Sequence, residues 1–299
     1  MQAKQKCGVI ALLGPTNAGK STLVNQLVGA KVSIVTPKVQ TTRASIKGIC
    51  MYDNAQLVFI DTPGIFKPKK TLEKAIVNEA WRRIAEADFL ALLVDVKRGI
   101  TDDVIDIIES LKKQGKNATL ILNKIDLVQR DSLLAMVDEL NGHGVFSDVF
   151  MISALKGDGV HKLIEHFAKV SPDGAWMFPE DNITDCPVKF FAAEVTREKI
   201  FMKLQQELPY SIAVDTEQWQ EDEKAINIRQ VIYAQKDGQK GILLGKNGSM
   251  IKQIGAAARR ELEAILEKKV NLFLFVKVRE NWLENRSVYR DIGLELPEE

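Results

Sequence analysis

Two hydrophobic periods alternate along the first half of the chain. Nearly unbroken apolar runs at residues 7–13, 89–94 and 118–122 read as strands buried on both faces, the pattern of a parallel sheet covered by helices. Between and beyond them, apolar residues return at helical spacing: Leu23, Val24, Leu27 and Val28, then Leu72, Ala75, Ile76, Ala80 and Ile84 within 72–86, then 104–111, then Leu133, Leu134, Val137 and Leu140, then 160–170. Residues 46–52 and 56–60 read as two strands around an Asp53-Asn54 turn, and 149–152 as one more. This alternation predicts a doubly wound α/β domain over residues 1–171.

The period then breaks. Residues 172–187 contain Pro172, Pro179 and Pro187, acidic side chains and no apolar repeat, which predicts a linker. Beyond it the spacing predicts a strand over 189–195, a helix over 197–208, strands over 211–214 and 226–234 around an acidic connection at 221–224, and a helix carrying Met250, Ile251, Ile254 and Leu262. A strand over 271–278 and a terminal helix over 282–292 complete a second, α+β unit over 188–299. A chain of 299 residues is about twice an ordinary domain, which suits two cores.

Composition narrows the picture only slightly. Apolar residues make up 45%, as in ordinary globular proteins, and 41 basic against 40 acidic residues leave no global field for nucleic acid, so any basic surface must be local. Three widely spaced cysteines, Cys7, Cys50 and Cys186, suggest neither a disulfide framework nor a zinc site and point to a reducing cytosol. The apolar stretch 9–13 is too short for a signal segment, and no run approaches the roughly 20 apolar residues of a membrane span.

The candidate chemistry begins where the first predicted strand ends. Gly14-Pro15-Thr16-Asn17-Ala18-Gly19-Lys20-Ser21 fits G-x-x-x-x-G-K-[ST] and opens a predicted helix. Glycines let backbone N–H groups turn around an anion, the helix N-terminus adds positive potential, Lys20 reaches the terminal phosphates and the Ser21 hydroxyl suits Mg²⁺, so Gly14, Asn17 through Ser21 and the adjoining Thr22 form a phosphate-binding set. The polar, aperiodic stretch 32–43 is expected to be a mobile loop; Thr42, or failing it Thr41, is its candidate for closing on Mg²⁺ and a γ-phosphate. Asp61-Thr62-Pro63-Gly64 at a strand end supplies a carboxylate for the metal and a glycine N–H for that phosphate. Asn123-Lys124-Ile125-Asp126 ends another strand. An acceptor-only carboxylate at Asp126 matches the two N–H donors on the guanine edge, Lys124 can lie along the base and Asn123 can tie the loop back. Ser153-Ala154-Leu155-Lys156 then offers the Ala154 N–H to guanine O6, with Leu155 beside it.

In the second unit, Gly245-Lys246-Asn247-Gly248 precedes a helix. Spacing excludes a second phosphate loop of the first kind, since three residues separate Gly241 from Gly245 and Asn247 follows the lysine. The stretch fits the G-x-x-G loop that clamps single-stranded nucleic-acid backbone, and residues 240–260 hold five basic and no acidic side chains. Gly245, Lys246, Asn247, Gly248 and Lys252 are the candidate RNA contacts.

Taken together, the phosphate loop, Gln40-Thr41-Thr42-Arg43, Asp61 to Gly64, Asn123 to Asp126, Ser153-Ala154, Gly245 to Gly248 with Ile251-Lys252-Gln253-Ile254-Gly255, and the tail Val276-Lys277-Val278 with Trp282 resemble the Era family of bacterial GTPases, a Ras-like domain followed by a KH domain. The resemblance covers nearly the whole chain. It implies GTP and GDP as ligands, GTP hydrolysis, binding of the single-stranded end of small-subunit ribosomal RNA, a part in assembling that subunit, and residence in the cytoplasm with loose association at the inner face of the membrane. Pro15-Thr16 departs from the family's usual Arg-Pro, and Ile65 stands where Ras-like enzymes place a water-orienting glutamine, so hydrolysis is expected to be slow unless another group contributes. Lys20, Asn17 and Thr42 are therefore the expected catalytic residues, with two readings of Asn17: a carbonyl ligand for K⁺, or a brace for its own loop. An RNA-binding protein with a dead nucleotide site is disfavoured by the presence of Lys20, Ser21, Asp61 and Asp126, and a translation or tRNA-modification GTPase would carry other appended domains.

Overall fold

The computed structural model describes residues 4–205, 208–280, 282, 289 and 293–295, and the chain divides into two compact units, Met1–Ser33 with Ala44–Asp185, and Ile34–Arg43 with Cys186–Glu299.

The first unit runs β1 (Lys6–Leu13), α1 (Lys20–Val28), β2 (Ile46–Tyr52), β3 (Ala55–Asp61), α2 (Thr71–Ala85), β4 (Phe89–Asp95), α3 (Asp102–Lys113), β5 (Ala118–Asn123), α4 (Arg130–Asn141), β6 (Phe146–Ile152) and α5 (Val160–Val170). Its sheet has the order β2-β3-β1-β4-β5-β6, parallel except for β2, which pairs antiparallel to β3 through the Asp53-Asn54 hairpin. Alternation along the strands explains the unbroken apolar runs. Ile10 and Leu12 face α1 and α5 through Leu23, Val24, Leu163 and Phe167, while Ala11 and Leu13 face the opposite core of α2, α3 and α4 with Ile84, Ile107, Leu111 and Leu133. Each of the larger side chains among them contributes roughly 1.5–3 kcal/mol on leaving water. The doubly wound fold expected from the pattern is the fold found, and it brings the ends of β1, β3, β4 and β5 to one edge of the sheet.

Residues 172–185, expected as a linker, lie within this unit. Gln56, fully buried in β3, explains why: its amide donates to Phe178 O at 2.8 Å and accepts from the N–H groups of Met177 and Phe178 at 2.9 and 3.0 Å. Thr184 Oγ1 donates to Lys47 O, and Ile49 N–H donates to Ile183 O, so the strap runs along β2.

The second unit contains α6 (Val188–Lys203), β7 (Ala213–Glu221), β8 (Ala225–Ala234), α7 (Asp237–Leu244), α8 (Ser249–Leu266) and β9 (Lys269–Val278). Its sheet has the order β7-β8-β9, antiparallel then parallel. The strand expected at 189–195 and helix at 197–208 are instead the single helix α6. Phe191, Ala192, Ala193, Val195, Thr196, Ile200 and Phe201 are all buried, and a helix enclosed around most of its circumference loses the amphipathic period. α6 and α8 cover the sheet through Val195, Ile200, Ile254 and Leu262. Trp282 is buried and its indole N–H donates to Ser211 O at 3.1 Å; most of the helix expected over 282–292 lies outside the described residues. No helix among the described residues is long and apolar enough to cross a membrane.

Candidate functional site

The carbonyls of the loop between β1 and α1 are held by side-chain donors. Lys20, buried at 6% exposure, donates to Gly14 O and Pro15 O, both at 2.9 Å. Burial pushes its ammonium down to about 8, against the pull of Asp61. A lysine in that condition gains from an anion that restores its charge. Asp61, fully buried at the end of β3, accepts the Ser33 hydroxyl at 2.6 Å, a partner that no sequence motif marks. Ser21 and Thr22 lie half-buried in the first turn of α1. Gly64 packs directly against the loop, and a Cβ there would stand 2.6 Å from Thr16 Cγ2 and 2.9 Å from Thr16 N, so any side chain would force the two segments apart. The next residue continues the contact, Ile65 N–H donating to Gly14 O at 3.2 Å.

The base-side residues form a chain of hydrogen bonds onto the same loop. Asn123, 2% exposed at the end of β5, donates from Nδ2 to Ala18 O at 2.8 Å, and its Oδ1 accepts from Lys124 N–H and Ala154 N–H at 2.8 and 3.0 Å. The Ala154 N–H expected to face guanine O6 is thus engaged by Asn123 in this structure; Ala154 joins its loop to β5, and Leu155 beside it is 78% exposed. Lys124 adopts the left-handed region at φ 68° and sends Nζ to Asn17 O at 2.9 Å and to Asp95 Oδ2 at 2.5 Å. A hydrogen bond from the Ser153 side chain is the largest cause holding the Asp126 carboxyl below the usual carboxylate range, with Lys156 Nζ 3.8 Å away acting in the same direction. Asp126 is therefore ionised and acceptor-only at neutral pH.

Thr42 is placed differently. Ser21 and Asp61 belong to the first unit, whereas residues 34–43 belong to the second. Val35 N–H donates to Glu198 at 2.8 Å, Arg197 donates to Thr41 O at 2.5 Å, and Arg43 donates to Ile212 O at 2.7 Å and Tyr210 O at 2.9 Å. Burial, then Arg197, pushes the Arg43 guanidinium down to about 9, still charged at neutral pH. The loop expected to be mobile is thus tied by its backbone and by buried cations into the body that carries the G-x-x-G turn.

In that body, Gly245 and Gly248 take φ of 69° and 75° and bracket Lys246 and Asn247, both exposed, at the N-terminus of α8. Beside the turn, α8 and the edge strand β9 enclose an open groove of about 390 Å³ lined by Ile251, Lys252, Gly255, Arg259, Phe273 and Phe275. Arg229 stacks over the Phe275 ring at 5.0 Å. No motif marks Arg259 on α8 or Phe273 and Phe275 on β9; the signal in the sequence for the two phenylalanines is that large apolar residues stand on both alternations of β9.

Comparison with known proteins finds relatives for both halves of the chain. The family model described as 50S ribosome-binding GTPase matches residues 9–124, and that described as KH domain matches residues 207–283. GTPase Era of Agrobacterium fabrum is 52% identical over 293 residues, covering 98% of this chain and 92% of the relative. GTPase Era of Mesorhizobium japonicum is 53% identical over 291 residues, covering 97% and 94%. Among solved structures, Era in complex with MgGDPNP and nucleotides 1506–1542 of 16S ribosomal RNA superposes with a TM-score of 0.92 at 37% identity, over 97% of this chain and 99% of that one. A variant of Aquifex aeolicus Era bound to GDP and AlF4⁻ gives the same score, identity and coverage.

Proposed function

The chain belongs to the family of GTPase Era, and from that premise we propose that it is a GTP-hydrolysing switch that binds the single-stranded end of small-subunit ribosomal RNA and assists assembly of the small subunit. The division of labour is a GTPase domain over 1–171, a connecting strap over 172–187 and a KH-type RNA-binding domain over 188–299. The observation that carries the switch is the membership of residues 34–43, which leave the first unit at Ser33, pack within the second, and return at Ala44.

On this reading the N–H groups of Asn17 to Thr22 and the Lys20 ammonium hold the phosphates, and Asp126, Lys124 and Ala154 with Leu155 surround the guanine. Mg²⁺, when bound, neutralises charge on the phosphate oxygens as the γ-phosphoryl leaves. The Ser21 hydroxyl and Asp61 carboxylate are hard oxygen donors that fit this ion, and Thr42 is the third residue proposed for it. Recruiting Thr42 to a γ-phosphate draws on the same segment that Arg43, Arg197 and Glu198 hold in the second unit. Nucleotide state and RNA affinity are then linked, and linkage requires the two affinities to shift by one common factor.

The groove between α8 and β9 suits RNA in single strands: phosphates pass the Lys246 and Asn247 turn and Lys252, while Phe273 and Phe275 offer rings for stacking. The experiment is to titrate a labelled single-stranded RNA ending in the small-subunit sequence against protein loaded with GDP or with a non-hydrolysable GTP analogue. Distinct affinities, mirrored by an equal shift in the preference for the GTP analogue over GDP when RNA is present, support the switch; equal affinities reject it.

Ile65 brings no hydrogen-bonding group to the attacking water, so turnover is expected to be slow. The Asn17 side chain is the proposed ligand for K⁺. Faster turnover in potassium than in sodium, lost in Asn17→Ala, supports that role, while equal rates leave Asn17 as a brace. The cytoplasm is the proposed location, with loose contact at the inner face of the membrane, to be read by fractionation with and without high salt.

A further inference from the structure

The five carbonyl oxygens from Gly14 to Ala18 all accept side-chain hydrogen bonds. Lys20 takes Gly14 and Pro15, Asn123 takes Ala18, and Lys124 takes Asn17. Those three donors belong to the phosphate and base motifs. The remaining carbonyl, that of Thr16, accepts from Arg98 Nη1 at 3.0 Å. Arg98 is in no motif and comes from the turn that follows β4.

That turn is tightly built. Asp95 O accepts from the N–H groups of Arg98 and Gly99, both at 3.0 Å, and Asp95 Oδ1 accepts from Lys97 N–H at 3.0 Å and Arg98 N–H at 3.4 Å. The other carboxylate oxygen, Oδ2, pairs with Lys124. One buried aspartate therefore positions both cations that grip consecutive carbonyls, Thr16 through Arg98 and Asn17 through Lys124.

Between the two grips, Asn17 sits at φ 65°, the left-handed region that asparagine tolerates better than other non-glycine residues. In a planar trans peptide the N–H points opposite to the preceding C=O, so fixing Thr16 O outward fixes the Asn17 N–H on the opposite side, facing into the loop. We propose that Arg98 is a positioning residue for GTP hydrolysis, holding the Thr16–Asn17 peptide so that the Asn17 N–H stays directed at the bound phosphates. The proposal rests on the GTPase reading of this loop and adds a group that the loop's own sequence does not contain.

A prealigned donor matters most where charge grows during the reaction, and in phosphoryl transfer charge grows on the leaving side of the γ-phosphoryl group. Loss of Arg98 should therefore slow turnover more than it weakens binding. The test compares wild type, Arg98→Ala and Arg98→Lys in steady-state GTP hydrolysis, with release of a fluorescent GDP analogue and thermal melting measured alongside. For Arg98→Ala, kcat should fall about fivefold, the scale of one ordinary hydrogen bond at an exposed position, while KM moves less than about twofold and the melting temperature holds. Arg98→Lys, which keeps one cationic donor, should recover at least half of the lost rate. An unchanged kcat in Arg98→Ala, a change confined to KM, or equal impairment of both variants would each overturn the proposal. Wild-type hydrolysis and GDP release report separately on whether the loop is a GTPase site at all.

Discussion

Two glycine-bracketed turns in this molecule share a construction and differ in burial. Each stands at the N-terminus of a helix, each has a left-handed glycine at the cap, Gly19 at φ 100° and Gly248 at φ 75°, and each contains a left-handed asparagine, Asn17 at 65° and Asn247 at 54°. Both also carry a lysine. Lys20 lies inside the first turn of α1, enclosed and pushed down to about 8, whereas Lys246 lies in the turn itself and is exposed. The first turn has every carbonyl from 14 to 18 held by a side chain, whereas the second is closed by backbone bonds, Gly248 N–H to Gly245 O at 3.1 Å and Ser249 N–H to Lys246 O. Helix-terminal N–H groups attract phosphate in both. On the proposed reading, enclosure decides which phosphate each takes: a compact polyphosphate in the first, and the passing backbone of a chain in the second.

The largest expected effect sharpens the enclosed half. Replacing Asp126 by Asn puts a donor where guanine offers donors, and an enclosed site punishes an unpaired polar group heavily. The preference for GTP over xanthosine triphosphate should swing by about a hundredfold, a loss on one ligand and a gain on the other, read by competition against one labelled nucleotide. Retained preference for GTP would remove Asp126 from the base.

Next comes salt, which separates enclosed from open contacts. With Lys246, Lys252 and Arg259 on single-stranded phosphates, a slope near −2 in log affinity against log salt gives about a fifteenfold loss between 50 and 200 mM. GTP affinity in excess Mg²⁺ should change far less over the same range, and equal slopes for the two ligands would break the comparison.

A smaller effect on nucleotide binding comes from pH. Bound phosphate keeps Lys20 charged, while the empty site holds it at about 8. Nucleotide affinity is therefore full below pH 8 and falls as pH rises through it, by about tenfold at pH 9. Isothermal titration at pH 7 and pH 9 measures the fall together with the proton uptake that must accompany it at the higher value.

The chemistry was legible wherever a motif sits at a strand end, because the sheet delivers strand ends to one edge whatever the intervening helices do. Asn123 is the plainest case, since the bond it makes to the phosphate loop follows from its place at the end of β5. Residues that act singly left no pattern. Arg98 is an exposed arginine in a short turn, Ser33 is one serine in an aperiodic stretch, and Gln56 is a polar residue inside a strand whose partners, Met177 and Phe178, are more than 100 positions away. The second unit was harder to read in its helices than its strands. α6 is buried on most sides, so its period vanished, and α7 lies in the glycine-rich run that the sequence suggests only as an approach to the G-x-x-G turn. The incorporation of residues 34–43 into that unit is a matter of tertiary structure, fixed by Arg43, Arg197 and Glu198, and no local pattern signals it.

The division between an enclosed nucleotide turn and an open RNA turn is tested most directly by a charge reversal confined to the second. Lys246 and Asn247, both exposed and both replaced by Asp, place two carboxylates on the proposed phosphate track while leaving every residue of the first unit unchanged. Titrating the double variant with a labelled single-stranded RNA and, separately, with a labelled GTP analogue should show RNA affinity reduced by about a hundredfold or more and GTP affinity unchanged. Undiminished RNA binding, or a parallel loss of GTP binding, would contradict the account.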